Sequence, residues 1–267
     1  MQIVVNEEFF QVEAGVSLFE LRDCQKPNAD LVIVNGYPVD EDQKLKDGDR
    51  VVLLCHGEQP TATDLEALMR ARHTPGVHEK IKNSCVGIAG VGGLGSNIAV
   101  ALARVGVGKL VVADFDLVEP SNLNRQHYFI DQIGLPKVLA LRDLIARINP
   151  FVELKAIHEK ITSVNLPTYF SGVDVMVEAF DVVAQKTMLV SHFLSNFPQI
   201  PLVAASGMAG YEPANSITTR KAAENLYICG DAVTAVEPGQ GLLAPRVGIA
   251  AHHQANAVLR LLLGEEP

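Results

Sequence analysis

No stretch of the chain reaches the roughly 20 consecutive apolar residues that a membrane-crossing helix needs, so a bilayer span is not expected. The opening segment, MQIVVNEEFF, has neither a basic n-region nor a small-residue cleavage site. No secretion signal is read there, and the cytoplasm is the expected compartment. Cysteine is sparse: Cys24, Cys55, Cys85 and Cys229 are scattered, and none forms a Cys-x-x-Cys pair. That pattern offers neither a disulfide framework nor a zinc ribbon, so no structural zinc is expected and the thiols read as apolar filler. Positive charge is also short, with 22 Lys and Arg against 31 Asp and Glu and a net charge of −9. Broad nucleic-acid binding requires clustered cations and is therefore disfavoured. A single nucleotide needs only a local site and is not excluded.

What is present is a globular composition, 48% hydrophobic and 20% charged over 267 residues. That length suits one substantial core with an appendage. The appendage is read at the front, over residues 1–57. Met1–Asn6 and Phe9–Val12 predict a hairpin around Asn6-Glu7-Glu8, and Ser17 predicts a cap for a short helix through Leu18, Phe19 and Leu21. Leu31–Asn35 ends in Asn35-Gly36, and Val51–Cys55 follows the turn Lys46-Asp47-Gly48-Asp49. Two strands, a helix and two strands fit a small α+β, ubiquitin-like β-grasp. A ferredoxin-like split is the rival, but the segment is one helix short of it.

A linker is read at 58–64, and the second domain at 65–267, where Thr63-x-x-Glu66 predicts a capping box. From Cys85 onward strands and helices alternate. Val86–Ala89, Leu110–Ala113, Val173–Val177 and Leu202–Ala205 read as strands, and Ser96–Val105, Lys137–Ile148, Ala184–Leu194 and Val247–Leu263 as helices. The alternation predicts an α/β, Rossmann-like, mostly parallel sheet with flanking helices.

The first α/β strand runs into Gly90-Val91-Gly92-Gly93-Leu94-Gly95, which opens a helix. This is the nucleotide fingerprint in its required context. Gly90, Gly92, Gly93 and Gly95 let backbone approach phosphates, while the helix N-terminus supplies N–H groups and a positive dipole end. Asp114 ends the second strand, where a carboxylate holds ribose hydroxyls. Taken alone these features suggest a dehydrogenase. However, Asp114-Phe115-Asp116 continues into Ser121-Asn122-Leu123-Asn124-Arg125-Gln126, and Lys137 opens a later helix. Cationic and amide donors there suit a triphosphate, because Arg presents a planar fork to phosphate oxygens.

The series GVGGLGS, DFD, SNLNRQ and the following Lys137 resembles the ThiF/MoeB/HesA adenylyltransferases, prokaryotic relatives of ubiquitin-activating enzymes. The resemblance implies ATP and magnesium as cofactors, with Asp116, Ser121, Asn122, Asn124, Arg125, Gln126 and Lys137 around the nucleotide and Arg125, Lys137 and Asp181 catalytic. It places magnesium on Asp181 after Phe180, although Val182 stands where the family usually has Asn. It also implies that Arg70 or Arg72 is the family's arginine before the first strand, Arg72 being taken as the nucleotide contact. Relatives often carry a thiol in the stretch matching Thr234-Ala235-Val236-Glu237; here Ala235 stands there, and Cys229 reads as a buried structural thiol. His252-His253 has no partner ligands and reads as packing or surface.

The front module resembles ThiS, the β-grasp sulfur carrier of thiamine biosynthesis, and the whole chain a ThiS–ThiF fusion. The implied activity is adenylylation of a free ThiS-type carrier at its C-terminal Gly-Gly carboxylate. A homodimer and contacts with thiazole-pathway enzymes are implied as well. Rival readings are a tRNA threonylcarbamoyladenosine dehydratase-like enzyme and a non-catalytic scaffold that binds nucleotide and carrier.

Overall fold

Asn6 and Glu7 both adopt left-handed backbone (φ 46° and 67°). This two-residue turn joins β1 (Gln2–Val5) to β2 (Glu8–Gln11) with Val5 opposite Glu8, the geometry that matches strand twist. In this computed structural model residues 1–57, 61–73 and 76–267 are described; for Ala62, Thr63, Ala67 and Ala71 the backbone alone is. Ser17 caps α1 (Leu18–Gln25) by accepting the Glu20 N–H, and Glu20 returns to the Ser17 N–H at 2.7 Å, a reciprocal capping box. Asn35 and Gly36 (φ 51° and 91°) turn β3 (Leu31–Val34) into β4 (Tyr37–Pro38). Strand β4 was not legible in sequence. It is two residues long, and its proline sits at the sheet edge, where no ladder donor is needed. Strand β5 (Arg50–Leu54) lies at the centre of the order β2-β1-β5-β3-β4.

This β-grasp sheet buries both faces. Ile3, Val5, Val51 and Leu53 meet Leu18 and Leu21 of α1, and alternate residues Ile33, Val52 and Leu54 meet Leu68. Leu68 belongs to α2 (Ala62–Arg72). The cap of α2 is Thr61, whose hydroxyl accepts the Asp64 N–H, and not Thr63 with Glu66. Threonine at 61 wins because Asp64 lies three residues on and answers the Thr61 N–H, closing the box. Of the expected linker, residues 58–60 lie outside the described residues, whereas Thr61 caps the helix and 62–64 already begin it. The first compact unit runs Met1–His78, so α2 packs with the front module.

The second unit, Glu79–Pro267, holds a seven-stranded sheet in the order β11-β12-β10-β9-β6-β7-β8. The strands are β6 (Cys85–Ala89), β7 (Lys109–Ala113), β8 (Glu153–Ile157), β9 (Val175–Glu178), β10 (Leu202–Ala205), β11 (Thr218–Ala223) and β12 (Leu226–Gly230). All neighbours are parallel except the edge pair β11–β12. Strands β9 and β10 are buried at every position, as expected of a sheet covered on both sides. The sequence reading missed β8 and β11, edge strands whose exposed Lys155, Arg220 and Lys221 break any apolar run. It also missed β12.

Short α3 (Val77–Lys82) precedes the sheet. Helices α4 (Gly93–Arg104), α5 (Lys137–Ile148), α6 (Leu166–Phe170), α7 (Val183–Asn196) and α8 (Ala244–Leu263) flank it. Helix α8 buries Val247, Ala250, Ala251, Gln254, Ala255 and Val258, a stripe at helical spacing. Among the described residues no helix is long and apolar enough to cross a membrane.

Candidate active site

The chain leaves β6 for β7 and β8 on one side, then crosses back to β9 and β10 on the other. The crevice outside the carboxyl ends of β6 and β9 is therefore the topological switch point, where open α/β sheets bind ligands. The glycine loop fills its floor. At Gly90 the backbone is left-handed (φ 88°), and a Cβ there would lie 2.6 Å from the Ala179 carbonyl oxygen. At Gly95 a Cβ would lie 1.9 Å from the Gly90 carbonyl oxygen, so α4 begins pressed onto the loop. Gly92 is the N-cap and offers no side-chain acceptor, which leaves the first N–H groups of α4 for an anion.

Three neighbours brace this loop. Asp114, 8% exposed, accepts the Val91 N–H at 2.8 Å and the Asp116 N–H at 2.9 Å, one on each oxygen. Burial raises its pKa, against which the Asp116 N–H, the Lys137 charge and the Val91 N–H act. Each oxygen keeps a lone pair that a hydroxyl can use. Buried Tyr128, which the sequence reading did not single out, donates its hydroxyl to the Val91 carbonyl at 2.7 Å. Gln126, 9% exposed, lays its amide over Gly92, and its buried Oε1 has no partner among the described residues.

The SNLNRQ segment divides into braces and donors. Asn122 is buried and accepts the Glu119 N–H at 3.0 Å, closing the 3-10 turn Pro120–Asn122. Ser121 is exposed and sits 3.3 Å from the Glu119 carboxylate. Asn124 holds the Leu242 carbonyl with its amide and accepts Arg125 at 2.8 Å. Arg125 runs its stem across Gly93, where a Cβ would meet its Cγ at 3.5 Å. Its guanidinium also donates to the Ser121 carbonyl, while its buried Nε has no partner among the described residues. Lys137, 6% exposed at the first position of α5, places its ammonium 2.8 Å from Asp116 Oδ2. Asp116 is thus the lysine's holder.

Asp181 is exposed, two residues beyond Ala179 and next to Phe180, whose ring a Cβ on Gly90 would meet at 3.2 Å. The Phe180–Asp181 turn therefore abuts the glycine loop. Among the described residues no three His, Cys, Asp or Glu side chains come together as a metal cage. A lone exposed carboxylate beside a glycine-rich helix N-terminus would suit magnesium, which takes one or two carboxylates and completes its shell with phosphates and water. Arg72 is exposed on α2, and Arg70 is held there by Glu7 and by Glu66 at 3.3 Å; both belong to the first unit.

Residues 66–267 match the ThiF family, and residues 1–57 match ThiS-like ubiquitin domains. The chain belongs to the ThiF family. It is 32% identical over 193 residues to the molybdopterin-synthase adenylyltransferase of Escherichia coli (strain K12), covering 70% of this chain and 76% of that protein. It is 39% identical over 133 residues to the tRNA threonylcarbamoyladenosine dehydratase of Bacillus subtilis (strain 168), covering 49% of this chain and 52% of that one. The solved E. coli tRNA N6-threonylcarbamoyladenosine dehydratase in complex with ATP superposes with a TM-score of 0.68 at 22% identity, covering 73% of this chain and 92% of that chain. That likeness shows the fold. The adenylyltransferase relatives make this ThiF-family chain an enzyme of the nucleotidyltransferase class.

In this ThiF-family unit Cys229 is fully buried on β12, 3.4 Å from the Thr219 hydroxyl. Burial pushes its thiol up to about 11, the opposite of nucleophilic activation. His253 hydrogen-bonds the same Thr219 hydroxyl at 3.0 Å, and His252 the Gly248 carbonyl at 2.8 Å. Arg246, 3% exposed, spends its guanidinium on the Ala209, Glu212 and Pro213 carbonyls, the Ser216 hydroxyl and Asp231 at 2.5 Å. It ties the loops after β10 and β12 to α8. No sequence motif announces it.

Proposed function

We propose that the chain adenylylates the C-terminal Gly-Gly carboxylate of a free ThiS-type sulfur carrier with ATP, in the thiazole branch of thiamine biosynthesis. At the coarser level it is a ThiF-family adenylyltransferase of ubiquitin-like carrier proteins. The observation that supports adenylylation is the convergence of the uncapped α4 N-terminus, Arg125 and the Phe180–Asp181 turn at the switch point. The ThiS-like module fused in front points to the carrier type.

The chemistry needs no base. An α-carboxyl has a pKa of about 3.5, so the carrier's terminus is already ionised at neutral pH. Its oxygen forms a bond to the α-phosphorus while the bond to the bridging oxygen breaks, and pyrophosphate leaves with that electron pair. The protein's part is to position both partners and neutralise charge as it develops. Gly93 and the loop amides would hold phosphate, Asp114 the ribose, and Asn124, Arg125 and Lys137 the phosphate oxygens. Magnesium, when bound, neutralises phosphate charge, and Asp181 would hold it. Lys137 would exchange part of its hold on Asp116 for a phosphate oxygen.

The front module is not itself the carrier on this reading. After Cys55-His56-Gly57 it continues by peptide bond and has no carboxylate to activate. A homodimer is supported by the run of exposed apolar side chains Phe115, Leu117, Phe129, Ile130 and Ile133; sedimentation of the purified chain as a monomer would refute it.

The deciding experiment is ATP–pyrophosphate exchange with and without a free ThiS-type protein ending in Gly-Gly. Carrier-dependent exchange is expected. The dehydratase reading is favoured by the Bacillus relative. It predicts turnover that depends on tRNA bearing threonylcarbamoyladenosine, and the net charge of −9 argues against it. Exchange with neither substrate would leave the scaffold reading.

A further inference from the structure

Glu178 ends β9 and is 0% exposed, the one charged residue of the otherwise apolar strand VMVE. A carboxylate in that position is costly unless it is paired. Its partner is Lys186 in α7, whose ammonium lies 3.0 Å from Oε1 and 2.8 Å from Oε2. Two further bonds reach out of the pair. Lys186 donates to the Phe180 carbonyl at 2.9 Å, and the Phe180 N–H donates to Glu178 Oε1 at 2.7 Å. The polar groups on both sides of the Phe180 Cα are therefore held by one ion pair, and the next residue is Asp181. Behind them, fully buried Gln254 of α8 donates to the Glu178 carbonyl at 3.1 Å and the Val203 carbonyl at 3.3 Å, which fixes the strand end.

A pair needed only to neutralise Glu178 would have no use for the bond to the Phe180 carbonyl. That bond aims a turn. Asp181 is exposed, so its direction depends on how firmly the preceding peptide is held. We propose that Glu178 and Lys186 are positioning residues, whose ion pair, buried at Glu178 and partly exposed at Lys186, fixes the Phe180–Asp181 peptide and thereby the angle at which Asp181 meets a magnesium-bound nucleotide. The proposal rests on the reading of Asp181 given under Proposed function.

The test is calorimetric binding of ATP, with and without magnesium, to the full chain and to Lys186→Met, Lys186→Arg and Asp181→Ala, with thermal melting as a separate check of folding. In the wild type magnesium should tighten ATP binding, and Asp181→Ala should lose that gain. Lys186→Met should bind magnesium-free ATP within about twofold of wild type yet lose about tenfold of the gain, the size typical of groups that orient a metal ligand. Lys186→Arg should restore it. A lowered melting temperature alone would not produce this split. Where Lys186→Met does not fold, Glu178→Leu with Lys186→Met removes both holds on Phe180 without a buried charge, and the same criterion applies. Equal weakening with and without magnesium, or an undiminished gain, overturns the proposal while the Asp181 reading stands. A gain absent in wild type or kept in Asp181→Ala overturns the Asp181 reading, and the proposal with it.

Discussion

Gly95 packs against Gly90 so closely that a Cβ at position 95 would stand 1.9 Å from the Gly90 carbonyl oxygen. Neither atom belongs to a flexible side chain, so any other residue must lift α4 off the loop. Gly95→Ala should cost about 1–3 kcal/mol by overpacking. It should also weaken ATP binding, because the displaced N–H groups are the ones that would hold phosphate on the proposed reading. Gly248, inside α8 with nothing within 4 Å of its would-be Cβ, is the control. Gly248→Ala should stabilise by about 0.5–1 kcal/mol through helix propensity. Denaturant unfolding and ATP calorimetry on both variants check this; an unshifted Gly95→Ala protein would contradict the close approach.

Arg125 and Lys137 should separate activity from stability. Among the described residues the Arg125 guanidinium bonds the Ser121 carbonyl and the Asn124 side chain, both exposed, so little folding energy hangs on it. Arg125→Ala should melt near wild type yet lose about 3 kcal/mol of transition-state stabilisation, on the order of a hundredfold in exchange rate. Asp181→Ala should do the same. Lys137→Ala should lose activity and also melt lower, because its buried ammonium pairs with Asp116. Near-normal exchange in Arg125→Ala would remove it from the site.

Asp231 and Arg246 give the protein an acid-sensitive clamp. Burial pushes the Asp231 carboxyl up, but the Thr234 and Val233 N–H groups, the Thr234 hydroxyl and Arg246 outweigh it and hold it at about 2 against an ordinary 3.8. A lowered folded-state pKa contributes stability that is complete above pH 3.8 and is lost as pH falls towards about 2. Asp231→Asn should cost about 3 kcal/mol near neutrality, since it strands the buried Arg246 charge, and should flatten that acid limb. Unfolding curves at pH 7, 4 and 2.5 for both proteins measure it. An identical acid limb would sink the assignment.

Cys229 should prove chemically quiet. With its thiol at about 11 and the side chain fully buried, alkylation of the native protein near pH 7.5 should modify exposed Cys24 and spare Cys229. Cys229→Ser should still form the acyl-adenylate, because that step needs no thiol. Elemental analysis should find no stoichiometric zinc. Peptide mapping after a short alkylation pulse and the exchange assay decide the first two points; one zinc per chain would refute the third.

The front module should compete with a free carrier. Tethering gives it an effective concentration of order millimolar. Removing residues 1–57, with Leu68→Ser to blunt the helix face uncovered opposite Ile33, Val52 and Leu54, should lower the apparent KM for the carrier and leave ATP affinity unchanged. A carrier titration that shows an equal or higher KM in the folded truncation would assign the module to stabilisation or to recruitment of another enzyme.

The sequence by itself determined whatever chemistry is written in consecutive residues. Asn6 and Asn35-Gly36 specify turns because Asn and Gly accept the left-handed backbone a turn requires. Ser17 with Glu20 specifies a helix start because the two groups satisfy each other three residues apart. The glycine loop, DFD and SNLNRQ are local in the same way, which is why the family was legible from the residues alone. The tertiary structure decided what each of those residues does inside the crevice. Asn122 closes a turn, Asp116 holds Lys137, and Asp114 and Tyr128 brace the loop from opposite ends of a residue they share, Val91. The pairs Glu178–Lys186 and Asp231–Arg246 left no motif, although a lone Glu closing the strand VMVE was a signal that a cation must be near. Their partners lie on different elements, and they exist because a buried charge or carbonyl must find a hydrogen bond wherever the folded chain supplies one. Which group supplies it is set by the packing of α7 and α8 on the sheet, a property of the assembled fold.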